Sequence, residues 1–331
     1  MTKFTYTEAY DAATAINEIQ SGAHTKLIAG GTNLLDLMKI NVETPNRLID
    51  INHLPYNRIE DLPNGGLRLG AMVTNADTAY NELVRSRYPL LSDAILAGAS
   101  PQLRNMATNG GNMLQRTRCY YFYDTATPCN KREPGTGCSA INGFNRIHAI
   151  LGQSEHCIAT HPSDMAVALA ALNAVVNVEG IAGERQIPFK DFHRLPGDHP
   201  EKDSNLEAGD IITSIDLPSK GFNTNYKYVK VRDRASYAFA LISVAVGLQI
   251  ENNKVIDVRI AMGGVAHKPW RDTAAEEELI NKAATRENFL SAAERILSNA
   301  KGYEHNEFKI KLGKNAIVRA LEEAAAMGGN Q

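Results

Sequence analysis

Ala29-Gly30-Gly31-Thr32-Asn33-Leu34-Leu35 follows a short apolar run, Lys26-Leu27-Ile28-Ala29, and opens a helical pattern that continues to Ile40. Paired glycines between a strand and a helix let the backbone approach a ligand with no Cβ in the way. The free N–H groups of the helix start, with the Thr32 and Asn33 side chains, are donors suited to phosphate oxygens. A pyrophosphate fits that chemistry. The motif is neither G-x-G-x-x-G nor a P-loop, which argues against an ordinary Rossmann nicotinamide site. Outward from it, Glu8 to Ile19 carries Ala12, Ala13, Ala15, Ile16 and Ile19 at helical spacing, and Arg47-Leu48-Ile49-Asp50-Ile51 reads as a strand. The chain therefore begins with a small β-α-β-like unit bent at its glycines.

A second stretch of the same character, Thr108-Asn109-Gly110-Gly111-Asn112, comes about 80 residues later, after Gln102-Leu103-Arg104-Asn105. Two such turns suit a clamp on one long dinucleotide from two sides. Leu67-Arg68-Leu69-Gly70-Ala71 begins a larger α+β region, with helical patterns at Asn75 to Val84, Leu90 to Ala97 and Asp164 to Leu172, and a strand at Ala174 to Val178. Pro218-Ser219-Lys220-Gly221 marks a boundary. Beyond it Tyr226 to Arg232, Ala240 to Gln249 and Val255 to Met262 read as strands, with Asn252-Asn253 turning between the last two and Gly263-Gly264 at a strand end. Arg286 to Met327 is rich in helix formers.

All four cysteines, Cys119, Cys129, Cys138 and Cys157, lie in the stretch that follows the second glycine pair. Four thiolates brought to one place can hold an iron-sulfur cluster. An even count also suits two disulfides or a structural zinc. Zinc sites usually show a short C-x2-4-C pair, whereas the gaps here are nine, eight and eighteen residues. Disulfides are needed by small domains that cannot build a core, and this chain has 331 residues, 44% of them hydrophobic. The segment Arg116 to Gly143 holds Pro128, Pro134, Gly135 and Gly137 and little periodicity, and so long an irregular loop needs a functional reason.

With 35 Lys plus Arg against 37 Asp plus Glu, the chain carries no nucleic-acid footprint. No run of about 18 apolar residues exists for membrane insertion. The start, Met1-Thr2-Lys3-Phe4-Thr5-Tyr6, lacks the apolar core of a secretion signal, so no export address of its own is expected. No Ser-His-Asp arrangement or paired-carboxylate site stands out, and no catalytic residue is nominated.

Four motifs in order, Ala-Gly-Gly-Thr-Asn-Leu-Leu at 29 to 35, Arg-Asn-x-x-Thr-x-Gly-Gly-Asn at 104 to 112, Pro-Ser-Asp at 162 to 164 and Lys-Val-Arg-Asp-Arg-Ala at 230 to 235, resemble the FAD-binding medium subunits of the xanthine dehydrogenase and molybdenum hydroxylase family. The resemblance covers essentially the whole chain. It implies an α+β fold: a two-part FAD-binding domain of the PCMH type over residues 1–220, with subdomains of about 1–55 and 56–220 and a cysteine loop at 116–157, then a CO dehydrogenase flavoprotein-type C-terminal domain over 222–331. FAD is the implied cofactor. Its pyrophosphate would lie on Ile28, Ala29, Gly30, Gly31, Thr32, Asn33, Leu34 and Leu35, with Arg104, Thr108, Gly110, Gly111 and Asn112 on its other side. Asp164 matches an acidic position near the adenosine half and Lys230 a basic one near the flavin ring, where a cation favours the anionic reduced ring.

Most flavin subunits of the family lack a cysteine loop after the Gly-Gly-Asn stretch. The 4-hydroxybenzoyl-CoA reductase and periplasmic aldehyde oxidoreductase types have one, and those hold a 4Fe-4S cluster. The run Leu114 to Phe122 with Cys129-Asn130-Lys131-Arg132 resembles the aldehyde oxidoreductase type, which implies the cluster on Cys119, Cys129, Cys138 and Cys157. Tyr120, Tyr121, Phe122 and Tyr123 would then screen it from water. His156 and His161 bracket the last cysteine, and Tyr237 reads as strand packing or as a ring near the flavin. The implied function is an electron-transfer subunit, passing electrons from 2Fe-2S centres on a small partner chain to FAD and an acceptor, while a molybdopterin-binding large subunit oxidises an aldehyde. Residence in the periplasm would require co-export on a partner's twin-arginine signal, and the cytoplasm is the alternative. The alternatives in function are a hydroxybenzoyl-CoA reductase-like β subunit, a free-standing FAD oxidoreductase and a zinc-stabilised binding module.

Overall fold

A computed structural model of the chain describes residues 1–22 and 24–328. Strands β1 (Thr5–Glu8), β2 (Thr25–Ile28) and β3 (Arg47–Asp50) form a parallel sheet in the order β1-β3-β2. Parallel neighbours need crossovers, and the helices Ala12–Ser21 and Leu34–Lys39 supply them. The first helix starts where Asp11 accepts the Thr14 N–H at 2.7 Å, later than the apolar spacing alone indicates. Ala15, Ile16 and Ile49 bury its inner face.

A second sheet is antiparallel, in the order β4 (Ile59–Asp61), β5 (Leu67–Gly70), β8 (Ile211–Leu217), β6 (Val175–Gly180), β7 (Gly183–Pro188). Leu67, Leu69 and Ile215 pack against Leu90 and Leu91 of the helix Pro89–Ala97 and Leu169 of the helix Asp164–Ala171. The third sheet, also antiparallel, has β10 (Ile242–Glu251) between β9 (Asn225–Val231) and β11 (Lys254–Gly263). Ile242 to Leu248 are buried without alternation because both faces are covered. The helices Arg286–Ile296 and Phe308–Met327 cover one face, and Asp164–Ala171 packs on the other. That last helix, DMAVALAA, is buried throughout, and its small side chains let two sheets approach it at once. Between β10 and β11, Asn252 and Asn253 both take positive φ, 50° and 61°, the turn that matches the strands' twist. The turn formers Pro218 to Gly221 separate β8 from β9, which belong to different sheets.

The structure departs from the helical spacing in three places. Asn75 to Val84 is two helices, Asn75–Tyr80 and Glu82–Arg87, because the Asn81 side chain leaves the first to cap the second, accepting the Leu83 and Val84 N–H groups. The C-terminal helical region is broken between Ile296 and Phe308, where Asn306 accepts the Tyr303 N–H at 2.6 Å and turns the chain. Thr108 to Asn112 is no open turn: Thr108 caps a short helix, Asn109–Met113, by accepting the Gly111 N–H. Among the described residues no helix is long and apolar enough to cross a membrane.

Candidate functional site

The two glycine motifs meet. A Cβ on Gly30 would lie 1.8 Å from the Met106 carbonyl oxygen, so the first turn is pressed against the segment that leads into the second. Gly31 holds φ at +70°, which side-chain-bearing residues rarely adopt. On one side of this junction lies a cavity of about 840 Å³, on the other a hollow of about 330 Å³; Thr32, Asn33 and Gly111 wall both. Ile28, Ala29, Gly30, Gly31, Leu34, Thr108 and Gly110 line the smaller hollow, and Arg104 and Asn112 the larger. Leu35 instead packs its side chain under Gly31, within 3.0 Å of where a Cβ would stand.

Polar groups hold this wall. Asn33 Oδ1 accepts the Arg116 N–H at 2.8 Å, tying the first turn to the start of the cysteine loop. Asn112 Nδ2 donates to Asn75 at 2.6 Å, and Ser163 Oγ donates to Asn112 Oδ1 at 2.5 Å while also capping the helix Asp164–Ala171. Arg104 donates to the Gly98 carbonyl at 2.6 Å. Among the described residues, Asn33 Nδ2 and Arg104 Nε are buried donors with no partner. Buried donors are normally satisfied, so these suit a polar, acceptor-rich ligand in the groove.

The far side of the large cavity carries a buried ion pair. Lys230 Nζ lies 2.7 Å from Asp164 Oδ2, with the two side chains 5% and 8% exposed. Lys230 also donates to the Ala97 carbonyl, and the Tyr228 hydroxyl donates to Asp164 Oδ1 at 2.6 Å. Burial and the adjacent carboxylate push the Tyr228 hydroxyl well above its usual pKa, so it stays a donor. Asp164 and Lys230 thus meet in one ion pair on the cavity wall. The pair is buried, not at the surface. Tyr237 belongs to no strand; it sits at positive φ, exposed, in the 232–240 segment that borders the cavity, and Arg118 of the cysteine loop lies 4.9 Å over the neighbouring Phe239 ring.

The four cysteines also converge. Cys119, Cys129 and Cys157 are buried in one small core with Leu37, Phe122 and Ile158, Cys138 packs against it, and all four are free thiols, so the disulfide alternative does not describe this chain. Nearby backbone amides favour the thiolates: those of Phe122 and Tyr121 at Cys119, of Ala140, Ile158 and Ile141 at Cys138, and of Ala159 at Cys157. Burial pushes the Cys119 thiol up to about 12. The hydrogen bond from Cys157 draws Cys138 down to about 6 and holds Cys157 high. Among the described residues no group of three or more His, Cys, Asp or Glu is arranged to hold a metal ion, so the convergence stops short of a formed metal site. The chemistry of the donor set, four free sulfurs lined by amides, fits an iron-sulfur cluster.

Side chains of the loop pin it without help. Asn130 accepts the Gly135 and Gly137 N–H groups and donates to the His156 carbonyl; Arg132 donates to the Tyr121 and Phe122 carbonyls; Lys131, fully buried, pairs with Asp203. Of the aromatic run Phe122 is fully buried in the cysteine core, Tyr121 and Tyr123 pack against it half-buried, and Tyr120 is 48% exposed. His156 is at the surface near Asp198, whereas His161 is buried, lines the large cavity and meets the His193 ring tilted, with centroids 4.2 Å apart. No local pattern in the sequence marks His148, Lys309, Tyr228, Lys131 or Asp203, because each acts through a partner distant in the chain.

The FAD binding domain in molybdopterin dehydrogenase matches residues 2–220, and the CO dehydrogenase flavoprotein C-terminal domain matches residues 226–324. The chain is 49% identical to the aldehyde oxidoreductase FAD-binding subunit PaoB of Escherichia coli K12, over 98% of this chain and 99% of that one. It is 28% identical to the glyceraldehyde dehydrogenase medium chain of Sulfolobus acidocaldarius, over 85% and 82%. Its fold is similar to a chain of the carbon monoxide dehydrogenase of Hydrogenophaga pseudoflava, at a TM-score of 0.77 and 26% identity, covering 98% of each.

Proposed function

Because the chain belongs to the molybdenum hydroxylase family as one of its FAD-binding medium subunits, we propose that it is the electron-transfer subunit of an aldehyde oxidoreductase. In this reading FAD lies in the groove between the glycine motifs and the C-terminal domain, and Cys119, Cys129, Cys138 and Cys157 hold a 4Fe-4S cluster. A molybdopterin-binding large subunit oxidises the aldehyde, and a 2Fe-2S small subunit delivers the electrons. Relatives named for an aldehyde and for glyceraldehyde favour this over the hydroxybenzoyl-CoA reductase-like and free-standing alternatives.

The observation that carries the reading is the meeting of both glycine motifs, two unpartnered buried donors and a buried ion pair around one groove. Bound there, FAD supplies the exchange between one-electron donors and a two-electron acceptor. Gly30 and Gly31 keep the wall free of side chains where a pyrophosphate approaches, and Asn33 Nδ2 and Arg104 Nε are donors for its oxygens. Asp164 and Lys230 present a fixed, oppositely charged pair to one end of the ligand, kept in place by Tyr228 and Ala97. Free thiols and the amides around them support the cluster.

Residence in the periplasm, by export with a partner that carries a twin-arginine signal, completes the proposal. Metal and flavin analysis of the purified chain tests it. One noncovalent FAD and about four irons per chain are expected, whereas one zinc with no iron returns the cysteines to a structural role.

A further inference from the structure

One buried side chain beside the thiols has no part in the reading so far. His148 is 1% exposed, and its Nε2 lies 3.0 Å from Cys119 Sγ. Its Nδ1 is buried and has no partner among the described residues. A bare ring nitrogen is tolerated more readily as an acceptor than as an orphaned N–H, so the proton belongs on Nε2, directed at the sulfur. The backbone that carries the ring is held on both sides. The His148 N–H donates to Asn145, and its carbonyl accepts from Lys309 Nζ at 2.7 Å and Asn306 Nδ2 at 3.2 Å. Tyr120 and Tyr121 flank the ring at about 6 Å between centroids. Lys309, fully buried, also donates to the carbonyl of Gly264, which lines the large cavity. The C-terminal domain thus clamps the histidine and borders the flavin groove with one side chain.

We propose that His148 is a positioning residue that donates its Nε2–H to the sulfur of Cys119 and raises the reduction potential of the iron-sulfur centre bound there. The proposal rests on the four-thiol reading above. A hydrogen bond donated to a thiolate draws charge from the sulfur, and reduction by one electron makes a centre more negative; the donor therefore favours the reduced form. Lys309 and Asn306 hold the His148 backbone in place.

The test is an anaerobic redox titration of the full chain in its assembled complex, followed by electron paramagnetic resonance, with iron analysis of each sample. Wild type, His148→Leu and His148→Gln are compared. All three are expected to carry about four irons per chain; the leucine variant titrates at lower potential, the glutamine variant, which keeps an N–H donor, stays close to wild type, and the flavin midpoint does not move. An unchanged midpoint in the iron-loaded leucine variant overturns the proposal. So does loss of iron from either variant while its circular dichroism shows the native fold, because a tuning donor is not needed to hold the irons. Wild type without iron overturns the cluster reading itself, a failure recognisable before any variant is made.

Discussion

At the scale of single residues, glycine decides the groove. Gly31 stands at φ +70°, where a β-branched side chain is strained by about 1–3 kcal/mol, and a valine there would also press on Leu35. Gly111 has a milder constraint: a Cβ would sit 3.0 Å from the Thr108 hydroxyl that caps its helix, and a lost cap costs about 1 kcal/mol. Gly31→Val and Gly111→Val should both lower flavin occupancy in a folded protein, the first more severely. Absorbance of the purified variants checks this, and full occupancy in both would mean that the pyrophosphate lies elsewhere. These glycines were legible in the sequence because a backbone requirement is local. Gly30 was legible only in part: the carbonyl that forbids its Cβ belongs to Met106, far along the chain.

Among the elements, β9 and the helix Asp164–Ala171 carry the site's charges toward each other. Lys230 near the end of β9 and Asp164 in the first turn of that helix pair in a buried setting, with Tyr228 two residues along the same strand and on the same face. Removing one partner of a buried pair leaves the other uncompensated, at a cost of about 3–5 kcal/mol. Asp164→Asn should therefore destabilise strongly, and the double variant Asp164→Asn with Lys230→Met should recover much of the loss. Urea unfolding of the set measures the coupling; additive losses would remove the pair from the account. The sequence showed that both residues match the family's motifs and that β9 and the helix exist. It did not show that they touch, because strand-to-helix docking is set by packing between sheets, not by local pattern.

For the whole molecule, the junction of the three parts is a buried polar seam. His161, His193 and His267 are all buried there, and burial pulls the His193 pKa down from 6.5 to about 4, while His161 and His267 are lowered too. The unfolded chain takes up these protons near pH 6.5 and the folded chain does not. Stability is therefore fully present above that pH and falls as pH drops toward 4, by at most about 1.4 kcal/mol per unit for each histidine. The unfolding midpoint should fall between pH 7 and pH 5, and His193→Phe should flatten the slope; an identical slope in the variant would place the titration elsewhere. None of this was readable in sequence, where nine scattered histidines look alike.

Assembly is the scale at which the proposed function lives, since in that proposal electrons reach this chain from a site on a partner subunit. Its central claim is that the flavin here is reduced by aldehyde only through partner subunits. The direct measurement is flavin absorbance after anaerobic addition of an aldehyde, in the isolated flavin-loaded chain and in the complex purified with its large and small subunits. The account predicts bleaching in the complex and none in the isolated chain. Bleaching of the isolated chain, or a complex whose flavin stays oxidised while aldehyde is consumed, would contradict it.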